Sequence, residues 1–301
     1  MERYRSVNSY LRERFGCKVY KLALSGGFTC PNRDGTLGTG GCIFCSGGSG
    51  EFAFDASEDV GRALRQAKEL VGKKAGGGKY IAYFQSYTST YGPVSKLERL
   101  FAGALSDPEV AVLDVATRPD CLPEEVLSLL ERLNRVKPVW VELGLQSVHP
   151  ATAEYIRRGY GLPVYDRAVD ALKARGLEVI THMIIGLPGE TDEMIYETAA
   201  HIGRSGADGI KFQLLHVLAG TDLAADYAAG KFEALSMERY IELLEGCLRR
   251  IPPDMTVHRL TGDGAKRELV APLWSADKKR VINAVSAAFE RDGLVQGELW
   301  K

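Results

Sequence analysis

The chain has 301 residues, 45% of them hydrophobic and 26% charged, and its 38 Lys and Arg against 39 Asp and Glu give a formal net charge of -1. This is an ordinary globular composition with enough apolar residues for one sizeable core or two modest ones, and any polyanion would have to meet a local basic patch. No apolar run approaches the roughly 18 residues of a membrane span, and MERYRSVNSYLRERFG lacks the apolar core and cleavage site of an export signal, so a cytoplasmic chain with no membrane partner is expected.

In chain order, residues 1–21 form a basic segment with Arg3, Arg5, Arg12, Arg14, Lys18 and Lys21 against Glu2 and Glu13. Residues 18–25 (KVYKLALS) read as a first strand, and a glycine-rich loop follows, TCPNRDGTLGTGGCIFC, which spaces three cysteines as Cys-x11-Cys-x2-Cys. A helix is expected next, capped by Ser57, with Glu58 and Asp59 at the positive end of its dipole. Its apolar stripe would run through Val60, Leu64, Ala67 and Val71, and Gly76 to Gly78 would end it. The same unit recurs. Strands near 79–85, 111–117, 139–145, 178–185 and 209–215 alternate with helices near 94–105, 123–135, 162–175, 191–204 and 236–250. Such a βα series predicts an α/β fold, a parallel sheet with helices outside and ligands at the carboxyl ends of the strands. One domain is expected, with residues 1–250 as its body and 251–301 as an appended extension. In that extension HRLTGDGAKRELVAPLW reads as a short strand, a turn and an apolar segment, and SADKKRVINAVSAAFERDG as a capped helix.

Six cysteines in a reducing compartment, three of them clustered, point to metal binding or catalysis rather than disulfides. A structural zinc ion wants four ligands, for which Cys17, Cys30, Cys42 and Cys45 are available. Geometry opposes that set, because a strand over 18–25 would separate its ends by about 26 Å and leave Cys17 at the far end of the sheet. No histidine precedes His149. Three thiolates without a fourth ligand suit a [4Fe-4S] cluster whose fourth iron stays free for a small molecule, and the glycines let backbone amides approach its sulfides.

The loop, together with WVELGLQS at 140–147 and THMIIGLPGET at 181–191, resembles the radical S-adenosylmethionine (radical SAM) enzymes. The chain is most similar to the branch that includes the catalytic subunit of Elongator and oxygen-independent coproporphyrinogen oxidase. FQSYTSTYGPV at 84–94, ATRPDCLP at 116–123 and HRLTGDG at 258–264 look like a bacterial subfamily of short Elongator-like proteins. The common family spacing is Cys-x3-Cys-x2-Cys; the longer first gap here is typical of the Elongator-like branch.

This resemblance implies a partial (βα)6 barrel that holds the cluster on Cys30, Cys42 and Cys45 and S-adenosylmethionine on its free iron. A one-electron reductant such as flavodoxin or ferredoxin is implied as a partner, and a deoxyadenosyl radical would take hydrogen from an unactivated carbon. Phe44 is placed for adenine to pack on, with Gly186, Leu187 and Pro188 as a backbone wall. Gln146 matches the family's strand-end glutamine, and Arg158 matches an arginine that meets the cosubstrate carboxylate. Gln85 and Ser86 stand where relatives bind the methionine amino group, and His182 stands where relatives carry an Asp that holds the ribose.

Kinship with Elongator implies tRNA as the substrate, specifically the carbon-five side chain of wobble uridine. With no room for an acetyltransferase domain, conversion of carboxymethylaminomethyl to aminomethyl is one such reaction. The basic segment 1–21, the clusters Lys73-Lys74, Arg249-Arg250 and 278–280, and stacking by Tyr4, Tyr10, Tyr87 and Tyr91 would serve RNA. His258, Arg259, Asp263 and Lys266 are expected near the substrate mouth. Two other readings stand beside this one: radical modification of a small metabolite, and a non-catalytic zinc-bearing RNA-binding module.

Overall fold

The computed structural model of the chain describes residues 2–47, 53–75, 78–262 and 266–301. Among these, eight parallel strands form one open sheet in the order β2-β1-β3-β4-β5-β6-β7-β9. They are β1 (Val19–Ser25), β2 (Phe54–Asp55), β3 (Lys79–Phe84), β4 (Val110–Thr117), β5 (Val139–Gln146), β6 (Glu178–Ile185), β7 (Gly209–Leu214) and β9 (Thr256–Arg259). The sheet does not close on itself, since β2 and β9 are its edges. This is the expected partial barrel, extended by the short β9 that the 251–301 segment contributes beside β7. The antiparallel pair β8 (Val217–Leu218) and β10 (Leu269–Ala271) stands apart from it.

Crossover helices cover the outer face: α2 (Val60–Ala75), α3 (Val94–Leu105), α4 (Glu124–Asn134), α6 (Leu162–Lys173), α7 (Asp192–Arg204) and α9 (Met237–Leu248). Leu97, Leu100 and Phe101 of α3, Leu129 and Leu130 of α4, and Leu244 and Leu248 of α9 are buried against the strands in one apolar layer. The expected cap of α2 shifts by two residues: Asp59 Oδ1 accepts the Arg62 N–H at 2.9 Å, while Ser57 N–H is itself tied to Asp55 Oδ1. Gly76 and Gly77 lie outside the described residues. The terminal helix α10 (Lys278–Arg291) is capped by Asp277, which accepts from Arg280 N–H at 3.0 Å.

The amino end of the barrel is plugged by α1 (Val7–Phe15), which starts at the Ser6 cap and ends at Gly16 in the left-handed region, φ 69°. Its apolar side, Val7, Tyr10, Leu11 and Phe15, joins Ile81, Val112, Trp140 and Ile180 inside the sheet. The basic segment therefore faces away from the cysteine loop. Arg14 pairs with Glu178, Arg5 with Glu13, and Lys21 points inward to Asp114 and Glu142. Arg249 and Arg250 are likewise used within the fold, pairing with Glu298 and stacking over Tyr196. No helix among the described residues is long and apolar enough to cross a membrane.

Candidate active site

At the carboxyl end of β1 the chain enters the cysteine loop, which is held by its own backbone. Cys30 C=O accepts the N–H groups of Arg33 (2.8 Å) and Asp34 (3.1 Å), Asn32 C=O accepts Gly41 N–H (2.7 Å), and Cys42 C=O accepts Cys45 N–H (2.9 Å). Asn32 also anchors the loop to the segment after β5, donating to Arg157 C=O at 2.8 Å and approaching Cys42 Sγ at 3.5 Å. Cys30, Cys42 and Cys45 are free thiols on one cavity of about 270 Å³. Burial pushes the Cys42 thiol up, the Asn32 contact pulls it down, and Cys45 pushes it up again, so these sulfurs sit within electrostatic reach of one another.

Three thiols of one loop are a donor set that a four-iron cluster could take, because each thiolate would bind a different iron. Among the described residues no three His, Cys, Asp or Glu side chains are grouped as ligands of a single metal ion. Cys17 sits before β1 at the other end of the barrel and does not line the cavity.

Two arginines brace the wall beside the loop, where Asn32 reaches the Arg158 carbonyl. Arg158, 2% exposed, donates Nε to Tyr160 C=O (3.0 Å) and Nη1 to the carbonyls of Leu145 (2.7 Å) and Ser147, so most of its donor capacity fixes the end of β5. Arg118 forks onto Asp120 (Nε–Oδ1 2.9 Å, Nη2–Oδ2 2.7 Å) and lies 4.9 Å from the Tyr160 ring centroid. Gln146, the last residue of β5, has φ 63°, and its side chain lies against Gly144, where a Cβ would come within 2.6 Å of Nε2. A side chain at position 144 would therefore make the Gln146 amide move.

The floor of the cavity is a charged cluster inside the barrel. Glu142 on β5 receives Tyr83 OH (2.7 Å) and Lys211 on Oε2, and Lys21 Nζ on Oε1 (2.9 Å); Lys21 also binds Asp114 (2.5 Å). His182 Nε2 meets Glu142 Oε2 at 2.7 Å, and Gln213 Nε2 meets His182 Nδ1 at 2.9 Å. Because the Gln213 amide donates, Nδ1 is the acceptor and Nε2 carries the proton toward Glu142. Burial opposes the Glu142 charge, yet Lys21 and Lys211 outweigh it and hold the carboxyl well below its ordinary range. Burial and the charge of Glu142 push Asp114 up to about 7, and burial brings Lys211 down to about 7.

Among the expected site residues, Cys30, Cys42, Cys45, Phe44, Gln85, Tyr87, Gln146, Arg158 and His182 all line this cavity. Others do not. Ser86 is 2% exposed behind it, with its hydroxyl unpartnered among the described residues. Gly186 (φ 95°) packs on Leu235 and Leu215, because its neighbours in the β6 turn face a separate apolar cluster. Tyr91 lies in an adjoining cleft, bonded to Thr36 at 2.9 Å. His182 has both ring nitrogens occupied and offers neither to a ribose. His258 lies at the amino end, in a cavity of about 380 Å³ with Arg5, Tyr10 and Glu178, its ring 5.2 Å from that of Trp140. It is therefore not at the mouth, because β9 enters the sheet at its amino end through Thr256. Arg259 pairs in register with Lys211, Lys266 is exposed, and Asp263 lies outside the described residues. Lys21, Tyr83, Asp114, Arg118, Tyr160, Lys211 and Gln213 went unnoticed in the sequence as site residues. Lone charges at the centres of β1, β4, β5 and β7 were the available signal.

The match to known proteins agrees with this geometry. The model of the radical SAM superfamily matches residues 30–202, and that of the radical SAM C-terminal domain matches 207–291. YtqA of Bacillus subtilis, an uncharacterized protein, is 44% identical over 301 residues, covering 100% of this chain and 94% of its own length. A tRNA uridine(34) acetyltransferase of Methanocaldococcus jannaschii is 26% identical over 154 residues, 50% of this chain and 28% of that protein. The solved structure of the archaeal Methanocaldococcus infernus Elp3, with an N-terminal deletion, superposes with a TM-score of 0.71 at 20% identity. It covers 92% of this chain, which spans 64% of that one, and it establishes a shared fold. With the superfamily model covering more than half of the sequence, beginning at Cys30 itself, the chain belongs to the radical SAM superfamily, whose enzymes use a [4Fe-4S] cluster and S-adenosylmethionine.

Proposed function

We propose that Cys30, Cys42 and Cys45 hold the cluster and that the enzyme acts on the carbon-five side chain of wobble uridine in tRNA, for example converting carboxymethylaminomethyl to aminomethyl. The observation that carries the first part is the convergence of three free thiols, with no fourth cysteine or histidine of the loop, on one cavity at the carboxyl ends of the strands. When bound, the cluster and S-adenosylmethionine supply a deoxyadenosyl radical by one-electron cleavage of the sulfonium bond. The chain's own residues bind and orient. Phe44 and Gln146 present a ring and an amide to the cosubstrate, and Arg158 and Tyr160 fix the β5 end on which Gln146 rides. The Glu142–Lys211–Tyr83 cluster closes the floor and keeps polar groups aimed upward.

Similarity to a tRNA uridine(34) acetyltransferase supports the RNA substrate, and near the cavity stand the half-buried Arg33 and the exposed Arg157, the latter paired with Asp222, as cations that a polyanion could meet. A flavodoxin or ferredoxin is the class of electron donor this chemistry requires. The test is deoxyadenosine release by anaerobically reconstituted, reduced protein, with and without tRNA that lacks its mature wobble modification. Release that rises with tRNA is the expected result. Release indifferent to tRNA would move the substrate to a small metabolite, and none from a protein with a full cluster would overturn the proposal.

A further inference from the structure

One cation is built into the cysteine loop itself. Arg33 N–H donates to Cys30 C=O (2.8 Å), and its guanidinium Nη2 donates to Cys45 C=O (2.6 Å), so a single residue ties the first cysteine to the third. The guanidinium lies in a cradle without side chains. A Cβ at Gly41 would come within 2.9 Å of its Nε and 3.0 Å of its Cζ, and a Cβ at Gly47 within 3.2 Å of its Nη1. Both glycines are in the left-handed region, φ 74° and 82°, where a side chain would also strain the backbone. Tyr87 completes the cradle, with its ring centroid 5.9 Å from Arg33 Cζ.

The other guanidiniums on the cavity are held elsewhere. Arg118 is ion-paired with Asp120, and Arg158, which like Arg33 is in none of the ion pairs of the described residues, is turned onto the carbonyls of Leu145, Ser147 and Tyr160 at the end of β5. Of the three, Arg33 is the one that belongs to the cysteine loop, and it brings there a positive charge outside any ion pair of the described residues. A cluster on three thiolates is anionic and becomes more so when reduced, and net charge and hydrogen bonds around it set its potential. A fixed cation in that place stabilises the reduced form more than the oxidised one.

We infer that Arg33 is a positioning residue and counter-cation that raises the reduction potential of the cluster; this rests on the reading of Cys30, Cys42 and Cys45 given above. The experiment compares the full chain with its Arg33→Gln and Arg33→Lys variants after anaerobic reconstitution. Iron and sulfide per chain are measured, and the reduced-cluster electron paramagnetic resonance signal is titrated against potential without S-adenosylmethionine. Arg33→Gln is expected to keep its iron and shift to lower potential by at least about 59 mV, the one-electron equivalent of a tenfold change in the equilibrium constant. Arg33→Lys is expected to restore most of the shift. A wild-type potential in Arg33→Gln, or an equal shift in Arg33→Lys, would overturn the inference. If Arg33→Gln loses its iron, the lysine variant decides: wild-type iron and potential there support a charge role, and the same loss overturns it. A wild-type protein that assembles no four-iron cluster would instead sink the reading of the three cysteines.

Discussion

The two ends of the barrel each hold a cavity lined in part by charged side chains, and the larger one is not the one beside the cysteine loop. The amino-end cavity measures about 380 Å³ against about 270 Å³ for the one beside the cysteine loop. At the amino end Arg14 and Tyr10 both bind Glu178, α1 plugs the barrel, and positive φ falls on glycines such as Gly16 and Gly206. At the carboxyl end stand all three non-glycine residues with positive φ among the described residues: Tyr87 (56°), Gln146 (63°) and Arg157 (55°). Backbone strain of this kind persists where surrounding contacts over-determine it, and it clusters at functional sites. The comparison teaches that donors and strain, rather than volume, distinguish a site from a gap.

The strongest way to break this contrast is at the thiols. Cys42→Ala is expected to lose cluster iron and to drop deoxyadenosine release to background, at least about a hundredfold, with an unchanged circular dichroism spectrum. Next in size is the floor. Glu142→Leu leaves the buried Lys211 and the half-buried Lys21 without their shared carboxylate, and urea unfolding is expected to show a loss of about 3–5 kcal/mol. Adding Lys211→Met should recover part of that loss, and full additivity in the double-mutant cycle would show that the two groups do not interact.

The third test sharpens the contrast through pH. Asp114 titrates at about 7 when folded against an ordinary 3.8, so its contribution to stability is fully present below about 3.8 and is lost as pH rises through 7. Lys211, lowered from 10.5 to about 7, acts the other way: stability returns as pH rises from 7 toward 10.5. Thermal midpoints of wild type and Asp114→Asn should therefore converge, or cross, between about pH 4 and 7 and run parallel above that. A difference independent of pH across that window would place Asp114 outside the titrating cluster. The smallest effect belongs to the amino end. Glu178→Gln breaks a partly exposed ion pair and is expected to cost at most about 1 kcal/mol, leaving iron content and deoxyadenosine release at wild-type levels.

Much of the fold was legible because β1 and β3 to β7 are largely apolar runs, broken only by lone polar residues and separated by amphipathic helices, the pattern of a parallel sheet buried on both faces. The elements that escaped are short or mostly polar. α5 (Pro150–Tyr155) has six residues and α8 (Asp222–Ala228) seven, too few to show a period, while the short strand read at His258 starts two residues earlier, as β9. In α1 the arginines mask the stripe of Val7, Tyr10, Leu11 and Phe15, whose packing inside the sheet makes the helix a plug. The cysteine loop was legible because its chemistry needs one residue type at fixed spacing. The floor was not, because Lys21, Asp114, Glu142 and Lys211 come from four strands far apart in sequence and meet only when the sheet curls. His258 was expected near the mouth on the resemblance alone, whereas pairing of Thr256 with Gly209 fixes that strand at the amino end.

The measurement that bears most directly on the three-thiolate site is the electron paramagnetic resonance spectrum of the anaerobically reconstituted, reduced protein, recorded before and after S-adenosylmethionine is added. A site with three thiolates and one open iron predicts a reduced four-iron signal in wild type that changes shape on addition, and no such signal in Cys42→Ala. A four-iron signal indifferent to S-adenosylmethionine, or a protein that takes up zinc in place of iron, would contradict it.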